Sequence, residues 1–325
     1  MLNARNSFFA PLTCKTHVAT IGAAVIDTHV APQHVVTGEK SDDNFQDVLG
    51  GGAANSARVI QTFGLPVKPT LLVGEDAYRA VAEGLVEREF ASATILPVLE
   101  ETRRSYISEG RAKTLRSPIV RPSEALSAAV LQNLSTANVV LIAPLTIRDT
   151  DFALNLLRTN PRSILQLSQQ QCRDHDVAFC LAERAWLTVI NDHELHHLAG
   201  SGVRRDRIER VLNRGCRNLL VTHSAGVDAN VEGRRLSRER YAANSAGSVI
   251  GTGDAFLGGL VSGIVADLGF DYAISLGLAA AKLHAEGREI TFDAARQVLN
   301  QVHARPAPVR SLDFQVLRTL ASYLF

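Results

Sequence analysis

The fold class this sequence predicts is α/β, a single large domain doubly wound around a mainly parallel sheet with helices on both faces. Two observations predict it. Short apolar runs alternate with stretches of helical spacing through most of the chain, which is the pattern of successive βαβ units. A glycine-rich turn then opens into an amphipathic helix between Asn244 and Leu268, with one acid, Asp254, at the junction. The hydrophobic share, 46% against 21% charged, is enough for one large core, so a disordered chain is excluded.

In order, Val18 to Ile26 reads as a buried strand interrupted by Gly22, with Asp27 at its C-terminal end. Residues 28–47 turn polar, as exposed strand or loop. Gly50-Gly51-Gly52 leads into a helix that stops at Gly64. Thr70 to Val73 is a short strand, and helix returns from Gly74 to Phe90. Thr94 to Val98 and Ser105 to Ser108 read as strands around the charged run Glu100–Arg104. Arg111 to Arg121 is basic and loop-like. A helix starts at Pro122-Ser123-Glu124. The second half alternates cleanly, with strands at Val139–Ile142, Ser163–Leu167, Leu187–Ile190 and Leu219–Thr222. Helices fall at Thr150–Arg158, Asn191–Leu198, Asp206–Asn213 and Tyr272–His284, and a hairpin turns at Glu232-Gly233. Residues 1–16 read as a flexible tail and 17–325 as one domain, with segments near 28–47 and 98–121 forming a small β lid.

The formal net charge is +1 in 325 residues, which gives no reason to expect nucleic acid or an acidic membrane surface as partner. Cys14, Cys172, Cys180 and Cys216 have no metal or redox spacing and suit free thiols in a reducing cytoplasm. The N-terminus lacks a signal-peptide pattern, and no segment approaches a membrane span. A cytoplasmic location follows as the expectation.

The chemistry concentrates in Gly251-Thr252-Gly253-Asp254. Amides of a first helical turn have no intrahelical partner, and together with the helix dipole they favour an anion. An acid there would repel a resting phosphate, unless it takes a proton from a hydroxyl attacking that phosphate. Upstream, Asp27, Gly51, Gly52 and Asn55 offer what a polyol needs: a bidentate acceptor, an amide and a backbone open to close approach. Asn191-Asp192-His193-Glu194 follows a strand directly. His193-Glu194-Leu195-His196-His197 also satisfies H-E-x-x-H, but a catalytic zinc needs a third protein ligand and no convincing one follows. A partly solvated histidine cluster is the reading taken.

Together these stretches resemble the PfkB family of carbohydrate kinases, with its ribokinase-like fold, from about residue 17 to the helix near His284. The resemblance implies that Asp254 is the catalytic base and that the backbone of Gly251, Thr252 and Gly253 forms the anion hole. It implies that Asn191 and Glu194 organise Mg2+ beside ATP, Glu194 acting on the metal through water. Thr222 and Gly226 would line the nucleotide pocket, and Asp27, Gly51, Gly52 and Asn55 would bind sugar hydroxyls. The implied reaction is ATP-dependent phosphorylation of a hydroxymethyl group on a sugar or sugar-like substrate. A nucleoside kinase of the same fold, with Phe45 and Tyr106 as stacking candidates, and a non-catalytic sugar or nucleotide binder stay open. The family's use of the lid as a dimer interface suggests a homodimer.

The pattern departs in places. Ser248 and Val249 stand where the family has Asp-Thr, which puts monovalent-cation dependence in doubt, and Thr252 stands where Ala or Gly is usual. Ile190 replaces a proline before Asn191, and Val25 a sugar-binding Asn. Residues 166–173 lack the expected Asp/Asn-Pro, the turn after Thr222 is one residue short, and the segment after His284 lacks Gly-Ala. These losses lie around the base rather than on it.

Overall fold

Seven parallel strands run through the centre of the molecule, with helices over both faces. The structure, a computed structural model, describes residues 17–30, 45–108, 111–114, 126, 128–145, 149–242 and 250–303. The expected tail at 1–16, the helix start at 122–124, Ser248 with Val249, and much of both lid segments lie outside these residues.

At the middle lie β1 (Val18–Ala23) and β8 (Val139–Ile142), paired in parallel. Val18, Ala19, Ile21, Val140 and Ile142 are wholly buried, which is why the runs are continuous rather than alternating. From β1 the sheet grows one way through β4 (Val67–Gly74) and β5 (Thr94–Leu99). It grows the other way from β8 through β9 (Ser163–Gln166), β10 (Leu187–Asn191) and β11 (Leu219–His223). The order therefore reverses between β1 and β8. Such a switch point opens a crevice at the carboxyl ends of the strands, where open α/β sheets bind ligands. An antiparallel hairpin, β12 (Gly226–Val231) and β13 (Arg234–Glu239), completes the nine strands. Its turn carries Glu232 at φ 52° and Gly233 at φ 75°, the left-handed pair that a two-residue hairpin loop requires.

One face is covered by α1 (Gly52–Thr62), α2 (Arg79–Glu89), α9 (Thr252–Val265) and α10 (Phe270–Ala285), with α11 (Phe292–His303) against α10. The other face carries α3 (Ala128–Thr136), α4 (Thr150–Thr159), α5 (Gln169–Arg173), α6 (His175–Arg184), α7 (Asp192–Ala199) and α8 (Arg204–Asn213). Helix α9 is enclosed: every residue from Ala255 to Val265 is buried. Its small residues are the reason. A Cβ on Gly258 would lie 2.6 Å from Val59 Cβ, and one on Gly263 would lie 2.6 Å from Ala273 Cα. Both α1 and α10 thus reach the backbone of α9.

A second sheet orders its four strands β3 (Phe45–Gly50), β2 (Val25–Val30), β6 (Arg103–Ser108) and β7 (Arg111–Thr114). It corrects two expectations. The apolar run Val18–Ile26 is not one strand: Ala24 bonds back to Leu72 O at 2.9 Å, and at Val25 the chain changes sheets. Asp27 therefore lies within β2, not at the end of a main-sheet strand. Arg111–Thr114 is strand rather than loop, its polar character suiting an edge. Helices α5, α6 and α11 were not anticipated. Among the described residues, no helix is long and apolar enough to cross a membrane.

Candidate active site

The crevice at the switch point is built by glycines first. Gly51 caps α1 at φ 100°, and a Cβ there would lie 2.3 Å from Ala23 O, so only glycine lets the chain turn from β3 into α1 at this depth. A Cβ on Gly50 would fall 1.8 Å from Asp27 Oδ2, and one on Gly52 would lie 3.2 Å from Asp254 Oδ1. The bare backbone thus leaves room for both carboxylates. Beside it opens a cavity of about 510 Å3, lined by Asp27, Asn55, Arg58, Glu89, Gly251 and His284 among others.

Asp254 comes from the first turn of α9, and α1 holds it from the side. Asn55 Nδ2 donates to Asp254 Oδ2 at 2.9 Å, and Ser56 Oγ donates to the Asp254 carbonyl at 3.0 Å. The Asn55 amide is itself oriented by Arg58, whose Nη1 donates to Asn55 Oδ1 at 2.9 Å. Arg58 also donates to Leu49 O at 3.0 Å and forms an ion pair with Glu89. This chain of contacts ties β3, α1 and α2 to the acid. Asp254 keeps a little exposed surface, yet its carboxyl lies deep, and burial pushes its pKa up. The Asn55 amide and the positive charges of His284, Arg58 and Arg103 pull the other way. Asp27 is likewise raised by burial, against His29, the Ser105 hydroxyl and Arg103. Burial lowers the pKa of Arg103, while the charges of Asp27 and Asp254 favour its charged form. Its Nε has no hydrogen-bond partner among the described residues.

Gly251 caps α9 in the left-handed region, φ 82°, and the first intrahelical bond from the cap runs from Ala255 N to Gly251 O at 2.9 Å. The amides of Thr252, Gly253 and Asp254 precede that bond, so they are the orphan donors of the turn. The Thr252 hydroxyl is buried without a partner among the described residues. His284, from α10, braces the turn: its Nε2 lies 2.7 Å from Ile250 O.

Asn191 and Thr222 are register partners at the carboxyl ends of β10 and β11, on the same edge of the parallel sheet. Asn191 and Glu194 form a capping box on α7, Glu194 N donating to Asn191 Oδ1 at 2.9 Å and Asn191 N to Glu194 Oε2 at 2.8 Å. Burial pushes Glu194 up to about 7. With Glu194 turned back on its own helix, H-E-x-x-H lacks the free carboxylate a zinc protease would need. Gly226 is enclosed in the hairpin: a Cβ would lie 2.0 Å from Arg238 O. It shapes the strand pair where β12 begins.

Asp27, Gly51, Gly52, Asn55, Gly251 and Asp254 are therefore brought together, with Thr252 and Gly253 on the same turn, while Asn191, Glu194 and Thr222 stand at neighbouring strand ends. Sequence reading missed Arg103, Arg58, Glu89 and His284. Arg103 lay inside the charged run Glu100–Arg104, and a buried charge in such a run has no local signature.

A doubly wound sheet with a four-stranded flap and an acid at a glycine-rich helix start defines a sugar-kinase type of architecture. The family model for pfkB family carbohydrate kinases matches residues 15–294, and the chain belongs to that family. Among solved structures, a ribokinase from Arabidopsis thaliana complexed with ribose and ATP is similar at TM-score 0.68 and 18% identity, over 88% of this chain and 98% of that one. A putative ribokinase from Agrobacterium tumefaciens gives TM-score 0.69 and 19% identity, over 90% and 99%. A fructokinase from Vibrio cholerae O395, with fructose, ADP and calcium, gives 0.63 and 16%, over 88% and 99%. No curated protein matches the sequence.

Proposed function

We propose that this chain transfers the γ-phosphoryl group of ATP to a hydroxymethyl group of a sugar or sugar-like molecule. The observation that carries the proposal is the placement of Asp254: buried, held by Asn55, and set in the same helical turn as the orphan amides of residues 252–254. Ribose with ATP, and fructose with ADP, in the structures of similar proteins support the pairing of sugar and nucleotide.

In this reading the sugar occupies the cavity beside Asp27 and Asn55. Asp27 accepts from its hydroxyls, and Asn55 can serve both sugar and base. The reacting hydroxyl gives its proton to Asp254 as its oxygen bonds to the γ-phosphorus. The bond from that phosphorus to the bridging oxygen breaks, and ADP leaves. The first-turn amides and the Thr252 hydroxyl, which has no partner among the described residues, take up the charge of the transferring group. Asn191, Thr222 and Glu194 border the nucleotide's end of the sheet.

No group of three or more His, Cys, Asp or Glu converges among the described residues. Mg2+ keeps several waters and takes one or two carboxylates plus phosphate oxygens. Glu194 is the carboxylate that would hold it through water, by the oxygen that does not accept from Asn191 N; when bound, the ion supplies charge neutralisation to the phosphates. The described residues lining the cavity include no Phe, Tyr or Trp, and Phe45 and Tyr106 are exposed. The polar groups of Asp27, Asn55, Arg58 and Glu89 in the same lining suit the hydroxyls of a sugar.

The test is ATP turnover across a panel of sugars and nucleosides, wild type against Asp254→Asn. The expected result is turnover with a sugar, lowered on the order of 10²–10⁴-fold in the variant. ATP binding without turnover on any substrate rejects the enzyme reading, and a fully active variant rejects Asp254 as base.

A further inference from the structure

Helix α7 carries a second chemical feature that the kinase reading leaves unused. His193 and His197 are one helical turn apart, and their Nε2 atoms lie 3.3 Å from each other. The side-chain amide of Gln169, the first residue of α5, reaches both. Its Nε2 lies 2.8 Å from His193 Nε2 and 3.3 Å from His197 Nε2. An amide NH2 has two hydrogens, so it can donate to both rings at once. It then fixes both imidazoles in the tautomer that carries its lone pair on Nε2. Both lone pairs face the same small volume.

The spacing matches a known coordination. Two imidazole nitrogens bound at about 2.0–2.1 Å to one tetrahedral zinc stand roughly 3.3 Å apart. Rotating the Gln169 amide by half a turn replaces Nε2 with Oε1 and supplies a third donor at the same distances. The geometry points to a transition-metal site formed by His193 Nε2, His197 Nε2 and the Gln169 amide oxygen, with water completing the shell. Imidazole selects zinc, nickel or copper over magnesium, which prefers an all-oxygen set. The charge of Arg173 opposes a dication, so this site is weaker than a closed four-ligand one. His175 bonds the His197 carbonyl at 3.0 Å, holding this end of α7 against α6.

The site needs neither sugar nor nucleotide, and its test is independent of the kinase reading. The full chain, stripped with a chelator, is titrated with zinc chloride by calorimetry, with no ATP present. Wild type is expected to take up one equivalent that the His193→Gln/His197→Gln double variant loses. Gln169→Ala is expected to weaken it by about 10-fold or more. His196→Gln, on the same helix but outside the triangle, is expected to bind as wild type does. The proposal is overturned if wild type takes up no equivalent, if the double variant keeps it with unchanged affinity, or if magnesium chloride at equal concentration displaces the zinc. Unchanged melting curves for the double variant, whose side chains sit at the surface, exclude misfolding as the cause of a loss.

Discussion

At the scale of single residues, the site is a contest between burial and charge at Asp254. Burial wins, and the carboxyl is raised above the ordinary aspartate range. The proposed base works only when ionised, so kcat/KM is expected to fall on the acid side at a pH above that of an exposed aspartate. Arg103 favours the ionised form of both Asp254 and Asp27. Arg103→Met should therefore move this acid limb to still higher pH; a pH–rate profile with an unmoved limb would show that Arg103 does not act on the base. The same shift has a consequence for stability. Because the folded-state pKa is raised, folding favours the protonated acid. The penalty is absent below the unfolded pKa, appears as pH rises past it, and reaches its full size above the folded pKa. Asp254→Asn keeps an acceptor for Asn55 and removes the charge. Its urea midpoint should thus exceed that of wild type at pH 8 and match it near pH 3, while turnover is lost. The acid and its glycines were legible in the sequence because their pattern is local. Arg103 and His284 were not: each reaches the site by tertiary packing, and nothing beside them in the chain marks it.

At the scale of elements, α9 explains why a helix dense in glycine is stable here. Glycine lowers helix propensity, by about 1 kcal/mol against alanine. In α9 that loss is offset by close packing on α1 and α10, which a methyl group would block. Gly263→Ala is therefore expected to destabilise the protein by about 1–3 kcal/mol through overpacking against Ala273, despite its better propensity. Gly253, in the same helix, has open space around its Cβ position. Gly253→Ala should leave stability unchanged or slightly raised, with any effect confined to turnover. Denaturant midpoints for the two variants decide it, and equal gains in both would mean that propensity and not packing governs α9. Most strands were legible because burial on both faces writes them as apolar runs. The break at Ala24 was not, since Val25 and Ile26 are as buried in the second sheet as Ile21 is in the first. Strand β7 was hidden for the opposite reason, as an edge with the polar sequence Arg111–Thr114.

At the scale of the whole molecule, the two sheets divide the proposed labour. The second sheet brings Asp27 and the Gly50 backbone, while the main body brings Asn55 and Asp254, and the chain passes between them at Ala24. Asn191 and Thr222 belong to the main sheet alone, on the far side of β8. A sugar in the cavity therefore bridges two bodies, whereas a nucleotide at the strand ends of β10 and β11 engages one. Backbone hydrogen exchange can separate the two events, because local protection follows local opening free energy and ligand binding raises it. With a sugar that supports turnover but no nucleotide, exchange should slow in Val25–Val30, Phe45–Gly50 and Arg103–Ser108. A non-hydrolysable ATP analogue alone should slow Asp192–Ala199 and the amides that open α9, and leave the second sheet unchanged. If the sugar protects the β10–β11 edge and not the second sheet, the assignment of the cavity beside Asp27 to the sugar is wrong. If both ligands protect only α9, then the two sheets act as one body and the passage at Ala24 is a bend in the chain without a role in binding.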